Sequence, residues 1–430
     1  MIAKFPPTPS CVPTFAQCIQ EIVQRWSRFA MPLAVLCALT LALPAQAQSF
    51  QMLYQFPLRK TGNTPSGLMG VNGNFYGTTA LGGMSNEGTV FELTSQGKLI
   101  SLYSFSHNTS DGRNPTVGPL IRDKAGNLYG TTQNGGDLHC VAFVNTPGCG
   151  TVFKLSAGGK ETIVHSFSGG PTDGSYPLAG LVADSAGNLY GTTYVGGIGC
   201  NGQGCGTVYK ITPSGTESVL YSFTGVADGS NPKYVDLVID SAGNLYGTTV
   251  GGGDLTCGGH GAGCGVVFKV DPTGKETVLY AFTGGTDGGG PSSGLVRESN
   301  GNLYGTATLG GNCRDCGLVF KLDPTGNETV LHNFTEQEVQ PALQASSLLL
   351  DAAGNLYGTT LYGGSLSDGT VFEVSSQGVY TLLHSFDVND GLYPVAGLIR
   401  DNAGNLYGAT SQGGNFSCSM GCGVIFKITP

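Results

Sequence analysis

Pro119-Leu-Ile-Arg-Asp-Lys-Ala-Gly-Asn-Leu-Tyr-Gly-Thr-Thr132 decides the fold, because its second half returns six more times along the chain. The phrase Gly-Asn-Leu-Tyr-Gly, with Phe for Leu in one copy, begins at Gly73, Gly126, Gly187, Gly243, Gly301, Gly354 and Gly404, and a Thr/Ala pair follows each copy. The spacing is 50 to 61 residues, the length of a supersecondary unit rather than a domain. The repeat fills residues 48–430, so one closed domain is expected there. Only 11% of the 430 residues are charged and 71 are Gly, while Val, Thr, Tyr and Phe recur in short runs between Gly, Asn, Asp and Pro. That is the composition of many short strands joined by turns.

Each unit holds four strand-like runs. In the second unit they are strand A at Pro119–Asp123, B at Asn127–Thr131, C at Gly150–Leu155 and D at Thr162–Phe167. Asp-x-x-Gly-Asn joins A to B, and turns such as Thr212-Pro-Ser-Gly215 join C to D, with Gly supplying the positive φ of a short hairpin. Four meandering antiparallel strands make a propeller blade. Strand A pairs Leu68, Leu120, Leu181, Leu237, Leu295, Leu348 and Leu398 with an apolar neighbour, so both of its faces are apolar, as a blade between two others requires. The strand B tyrosines, Tyr76, Tyr129, Tyr190, Tyr246, Tyr304, Tyr357 and Tyr407, read as inter-blade packing with bonded hydroxyls rather than a ligand ring. The chain opens on a lone D-type run, Phe50–Phe56, and stops after a C-type run, Gly423–Ile428. The fold expected is therefore all-β: a seven-bladed β-propeller of four-stranded antiparallel blades, closed by the N-terminal strand completing the last blade.

Residues 1–47 differ in kind. Arg25 and Arg28 precede an apolar stretch, Ala30–Leu43, and Ala45-Gln-Ala47 offers small residues for cleavage, so 1–47 reads as a signal peptide. The apolar stretch is shorter than a membrane span, and Leu36 before Cys37 does not suit a lipoprotein anchor. The expected product is secreted or periplasmic, without a stable membrane anchor. Cleavage moves the net charge from −9 to −11, with 17 basic against 28 acidic side chains, which disfavours nucleic acid as a partner. Trp26, the one tryptophan, leaves with the leader, so indole stacking on sugars is not available.

The cadence Gly-Thr-Val-Phe-Lys-Leu, Pro-x-Gly-x-Glu, Val-Leu-Tyr-Ser-Phe, Asp-Gly-x-x-Pro, Gly-Asn-Leu-Tyr-Gly-Thr-Thr resembles the GloVer-type, or choice-of-anchor, tandem repeats of exported bacterial proteins across essentially the whole mature chain. The resemblance implies an extracytoplasmic repeat protein with no assigned activity. Some such proteins end in an anchoring segment; Pro430 follows the last strand directly, so none is expected here.

Length variation falls mainly in the B to C and D to A loops, making that face the expected binding surface. Five cysteine pairs lie in the B to C loops: Cys140/Cys149, Cys200/Cys205, Cys257/Cys264, Cys313/Cys316 and Cys418/Cys422. Units one and six lack both partners, and this all-or-none pattern in an exported chain reads as disulfides within each loop. Cys313-x-x-Cys316 also has zinc-like or redox spacing, but no second pair lies near it and no helix start is expected there.

The D to A loops carry Asp-Gly-x-x-Pro at Asp111, Asp173, Asp228, Asp287 and Asp390. As turn residues these aspartates shape the approach to strand A; as ligands they would ring the mouth of the central channel and hold a cation, calcium being the fitting one. No other cofactor is expected. His165, His332 and His384 occupy the position of Tyr103, Tyr221 and Tyr280, which reads as variation within the repeat, and the loop residues His107, His139 and His260 have no nucleophile motif beside them. Unit six replaces the Asp-Gly motif with Glu336–Pro341, the one departure that would mark a unique site.

The function expected is a monomeric, non-catalytic binding or scaffold module for an unknown extracellular ligand, glycan or protein. The alternatives are a propeller lyase or hydrolase acting on an extracellular polymer, or a purely structural envelope component. Mass spectrometry of secreted protein should find all ten mature cysteines unreactive to alkylation before reduction; ten free thiols would overturn the pairing.

Overall fold

The computed structural model describes residues 48–57, 62–107, 111–116, 118–140, 147–202, 204–257, 263–313, 316–339, 347–414, 418 and 420–429. The leader at 1–47, His260, and Gln340 and Pro341 of unit six lie outside them.

Seven antiparallel sheets repeat one pattern. Blade 1 shows it in full: A is Asn63–Val71, B Asn74–Leu81, C Thr89–Leu93 and D Leu99–Ser104, paired in that order. Strand C is the buried centre. Its Thr-Val-Phe-Glu/Lys-Leu sequence buries every residue but the charged one, and its Phe packs over the strand B glycine, where any Cβ would strike the ring. That explains the invariant Tyr-Gly step of the repeat: Gly77, Gly130 and Gly247 make room for Phe91, Phe153 and Phe268. Each Phe also meets a Phe ending the previous blade's strand D, as Phe105 meets Phe153 edge-on at 5.2 Å, so the core is a chain of seven inter-blade layers.

The expected N-terminal closure is present in the pairing. Ser49–Gln55 lies antiparallel to Val424–Thr429, from Ser49 opposite Thr429 to Gln55 opposite Val424, and so serves as strand D of blade 7. Phe50 stacks on His384 at 4.1 Å, while Phe75 of blade 1 tilts against Tyr407 of blade 7 at 4.7 Å.

Strand A differs from its expected form. Only two residues of the anticipated run pair with B in blade 2, Ile121 and Arg122, because the preceding segment Gly112–Pro115 takes the upper half of the same partner. The Asp-Gly-x-x-Pro motif is thus the first half of the innermost strand and not a free loop; in blade 3 Gly174 and Ser175 pair with Gly196 and Val195 in the same way. The residue before each proline lies in the left-handed region: Thr64, Asn114, Tyr176, Asn231 and Tyr393 have φ between 52° and 58°, and Gly290 takes 58°. This turn aims the amide at the preceding blade. Asn114 N donates to Glu87 O at 2.9 Å, Tyr176 N to Cys149 O at 2.9 Å, Asn231 N to Cys205 O at 2.6 Å, Gly290 N to Cys264 O at 2.8 Å, Tyr393 N to Asp368 O at 2.9 Å and Thr64 N to Cys422 O at 3.1 Å.

Strand D carries a bulge at one place in every blade, between Ile163 and His165 in blade 2 and between Met52 and Tyr54 in blade 7. Bulges bend and twist the strand that bears them. Deleting Ser49–Gln55 should lower the melting temperature by roughly 10 °C or more, since it uncovers Ile425, Phe426 and Ile428, each worth several kcal/mol of burial; calorimetry showing an unchanged melt would exclude ring closure through this strand.

Candidate functional site

The strand B tyrosines are structural, as the sequence indicates. Six of the seven donate their hydroxyl to the carboxylate opening the A to B turn, as Tyr129 does to Asp123 at 3.1 Å and Tyr304 to Glu298 at 3.0 Å, while Tyr76 donates to Glu92 at 2.9 Å.

On the loop face, Cys140–Cys149, Cys200–Cys205, Cys257–Cys264, Cys313–Cys316 and Cys418–Cys422 are each bridged within one loop, with Cα atoms 5.3 to 5.8 Å apart. The bridges also abut the following D to A segment: a Cβ on Gly169 would meet Cys140, and one on Gly289 would meet Cys264. Four of the staples therefore stiffen the carbonyl that receives the next blade's amide, that of Cys149, Cys205, Cys264 or Cys422. Five bridged pairs fit an oxidising compartment, and among the described residues no helix is long and apolar enough to cross a membrane.

The five motif aspartates face the outer strand and not the axis. Asp111 accepts from Tyr103 Oη at 3.0 Å, Ser106 N at 2.8 Å and Ser106 Oγ at 2.9 Å. Asp228 and Asp287 accept from Tyr221 and Tyr280 and from the amides of Thr224 and Thr283. At Asp173 and Asp390 a histidine replaces the tyrosine, with His165 Nε2 3.4 Å from Asp173 and His384 Nε2 2.9 Å from Asp390. Unit six is less unusual than its sequence suggests. Its short helix Glu336–Val339 brings Glu338 into the aspartate's role, accepting from Thr335 N at 2.7 Å and lying 3.3 Å from His332. His107 and His139 sit in exposed pairs with Glu87 and Asp137.

What does stand near the axis is a carboxylate the sequence reading passed over. Gly118 of blade 2 packs so closely on Gly180 of blade 3 that a Cβ would overlap the backbone, and at the same position blade 4 carries Asp236. Asp236 Oδ1 accepts from Gly180 N at 2.7 Å, and Oδ2 accepts from Ser347 Oγ of blade 6 at 3.4 Å, linking blades that are not neighbours in the ring. Burial holds its carboxyl above the usual value. The signal was legible as the only Asp before the strand A leucine.

Opposite the loop face, where the A to B and C to D turns lie, a cavity of about 850 Å³ opens at the seam between blades 7 and 1. Phe75 and Tyr407 stand in its wall beside Asn72, Gln96, Asn402 and Lys427. It arises where blade 1 departs from the repeat: its A to B turn, Val71-Asn-Gly-Asn74, lacks the carboxylate of the other turns, and Phe75 replaces the usual leucine.

The architecture is that of a tandem-repeat β-propeller of seven blades. The chain belongs to the Gloeobacter/Verrucomicrobia repeat family, whose model matches residues 40–259, 140–345 and 255–430. No curated protein matches the sequence. Among solved structures, the chain is similar to a gluconolactonase from Xanthomonas campestris, at 13% identity and a TM-score of 0.40, with 73% of this chain and 86% of that one covered. It is also similar to the tricorn protease, at 12% identity and a TM-score of 0.41, covering 76% of this chain but only 26% of that protein. Neither likeness is close enough to transfer an activity.

A second carboxylate approaches the motif aspartate from the next blade. Glu161, Glu276 and Glu328 open strands D of blades 2, 4 and 5, and burial, with the charge of Asp111, Asp228 and Asp287 respectively, pushes each up to about 7. A glutamate raised from 4.5 holds its proton longer in the folded state, so it stabilises most below the unfolded value and loses that contribution as pH climbs towards 7. The turn aspartates act in the opposite sense. Burial opposes the charge of Asp123, Asp184, Asp240 and Asp401, but their amide and hydroxyl bonds prevail and hold them below 3.8, so their contribution is lost only as the solution becomes strongly acidic. Replacing Glu161, Glu276 and Glu328 together by Gln should therefore flatten the fall in melting temperature between about pH 5 and 8 and leave the variant more stable than wild type at the upper end; parallel pH profiles for the two proteins would refute this.

Proposed function

We propose that the protein is an exported, non-catalytic binding module whose ligand seat is the seam cavity between blades 7 and 1, and that the ligand is a polyhydroxylated chain of the glycan class. The observation that carries the reading is the composition of that wall. Phe75 and Tyr407 lie 4.7 Å apart at an interplanar angle of 40°, offering ring surface, with the amides of Asn72, Gln96 and Asn402 and the ammonium of Lys427 around them. Apolar ring faces with a few convergent polar groups suit a sugar, which presents C–H patches between hydroxyls. The rings supply the stacking surface that tryptophan would otherwise give. Export is supported by the leader-like residues 1–47 and by the five bridged cysteine pairs. Each motif aspartate accepts from an amide of its own turn and faces strand D, so the five do not converge on one seat at the channel mouth, which favours the turn role over a shared calcium site.

Screening the oxidised mature protein on a glycan array, with calcium and with chelator, is expected to show binding that chelator leaves unchanged. Phe75→Leu restores the residue that the other six units carry, so it should fold, yet bind about tenfold more weakly, a loss of about 1.4 kcal/mol. Full binding by the folded Phe75→Leu protein would remove the cavity from consideration.

A further inference from the structure

The seven blade junctions act as controls for one another, and one of them differs in its chemistry. At each junction the end of one strand D, the turn that follows it and the start of the next blade's strand D come together. Junctions after blades 1, 3 and 4 hold Tyr, Asp and Glu: Tyr103 with Asp111 and Glu161, Tyr221 with Asp228 and Glu276, Tyr280 with Asp287 and Glu328. After blade 6 the histidine remains, but Phe50 replaces the glutamate and stacks on His384; after blade 5, Tyr380 stacks on His332 in the same manner at 4.7 Å. Only the junction between blades 2 and 3 combines an imidazole with both carboxylates. There His165, Asp173 and Glu217 each place one donor atom within 4.8 Å of the others, the single such group among the described residues.

We propose that His165, Asp173 and Glu217 bind a divalent first-row transition ion of the zinc class. One imidazole nitrogen and two carboxylate oxygens are a fitting donor set for zinc or manganese, with water completing the coordination. Metal-to-ligand distances of about 2.0 to 2.2 Å put neighbouring donors roughly 3 to 4 Å apart, so a small rotation of the Glu217 side chain closes the group on an ion. The ligands are pre-set. Asp173 Oδ2 accepts from Ser168 N at 2.8 Å and Ser168 Oγ at 2.9 Å, and Oδ1 accepts from Gly174 N at 2.7 Å, bonds that fix its orientation as outer-shell contacts do in metal centres. The His165 ring is held edge-on against Phe167 at 4.7 Å. Glu217 Oε1 is buried with no hydrogen-bond partner, an oxygen without the contact it needs. The His165 and Asp173 side chains are 18% and 10% exposed, so an ion can reach them from solvent. Calcium is a poor match, since it prefers six or more oxygens and no nitrogen. The equivalent junctions with Tyr lack the nitrogen donor and are not expected to hold the ion.

The test is zinc titration of untagged, oxidised, chelator-washed protein in competition with a chromophoric chelator. Wild type should take up one equivalent. H165Y installs the residue that blades 1, 3 and 4 carry at this position, so it should keep the wild-type circular dichroism and melting temperature while losing the ion. Tyr221→His should build a second copy beside Asp228 and Glu276 and raise the uptake to two equivalents. The exposed pairs His107–Glu87 and His139–Asp137 are present in all three proteins and cancel in the comparison. Wild type that binds no zinc, or H165Y that still binds one equivalent, overturns the assignment, and a folded Tyr221→His protein that stays at one equivalent removes the positional argument behind it.

Discussion

Between one blade and the next runs a hydrogen bond from the amide just before a proline to the last carbonyl of the previous blade's long loop, and it recurs at Asn114, Tyr176, Asn231, Gly290, Tyr393 and Thr64. The donor residue has to enter the left-handed region to make it, at a cost of about 1–3 kcal/mol for a residue with a side chain. The surroundings hold it there. Proline fixes the next φ and packs its ring on the glycine that follows the acceptor, as Pro177 does on Gly150 and Pro232 on Gly206. Asparagine tolerates the conformation best and adds a bond of its own, from Asn114 Nδ2 to Ala80 O at 3.1 Å and from Asn231 Nδ2 to Tyr194 O at 3.0 Å. Because the chain is turned at this point, the aspartate ahead of it is swung back towards strand D, and the segment after it is delivered to the axis. The inner strand, the carboxylate clusters at the rim and the loop staples all follow from that single turn.

The blade pattern was legible because it depends on side-chain periodicity within one unit: Leu with an apolar neighbour in A, Tyr-Gly in B, Thr-Val-Phe in C. Ring closure was legible for the same reason, since Phe50–Phe56 has strand D character with no strand C before it. The inner half of strand A was not, because nothing in Asp-Gly-x-x-Pro says that its backbone will find the upper part of strand B; that pairing exists only once the neighbouring blade has turned the chain. His165 was read as repeat variation, and within its own blade that is all it is. Glu217 lies in the following blade, and the two meet only when blades 2 and 3 pack side by side. Asp236 and Phe75 carried a usable sign, each being an exception at its repeat position, though what an exception does depends on the three-dimensional neighbour.

A repeat protein of this kind separates scaffold from function by redundancy. Features present seven times, such as the strand B tyrosines and the glycines that follow them, cannot distinguish one place on the ring from another. Features present once, namely the shortened turn before Phe75, the axial Asp236 and the histidine beside two carboxylates, give the ring an orientation. All three sit at contacts between blades, where a changed side chain alters the space between sheets without disturbing hydrogen bonding inside a sheet.

Pairing the first strand with the last also sets an order of events. A ribosome delivers Ser49–Gln55 before any other strand of the ring and its partner Val424–Thr429 after all of them, so the earliest β-segment stays without its mate until the last blade has been made. Blades can form one by one behind it from local contacts, but the circle locks in a single late step that joins sequence-distant ends. Until then the chain is an open arc with two sticky edges, and the time it spends in that form is when a ring of this design most needs a chaperone to keep its edges from meeting those of a neighbour.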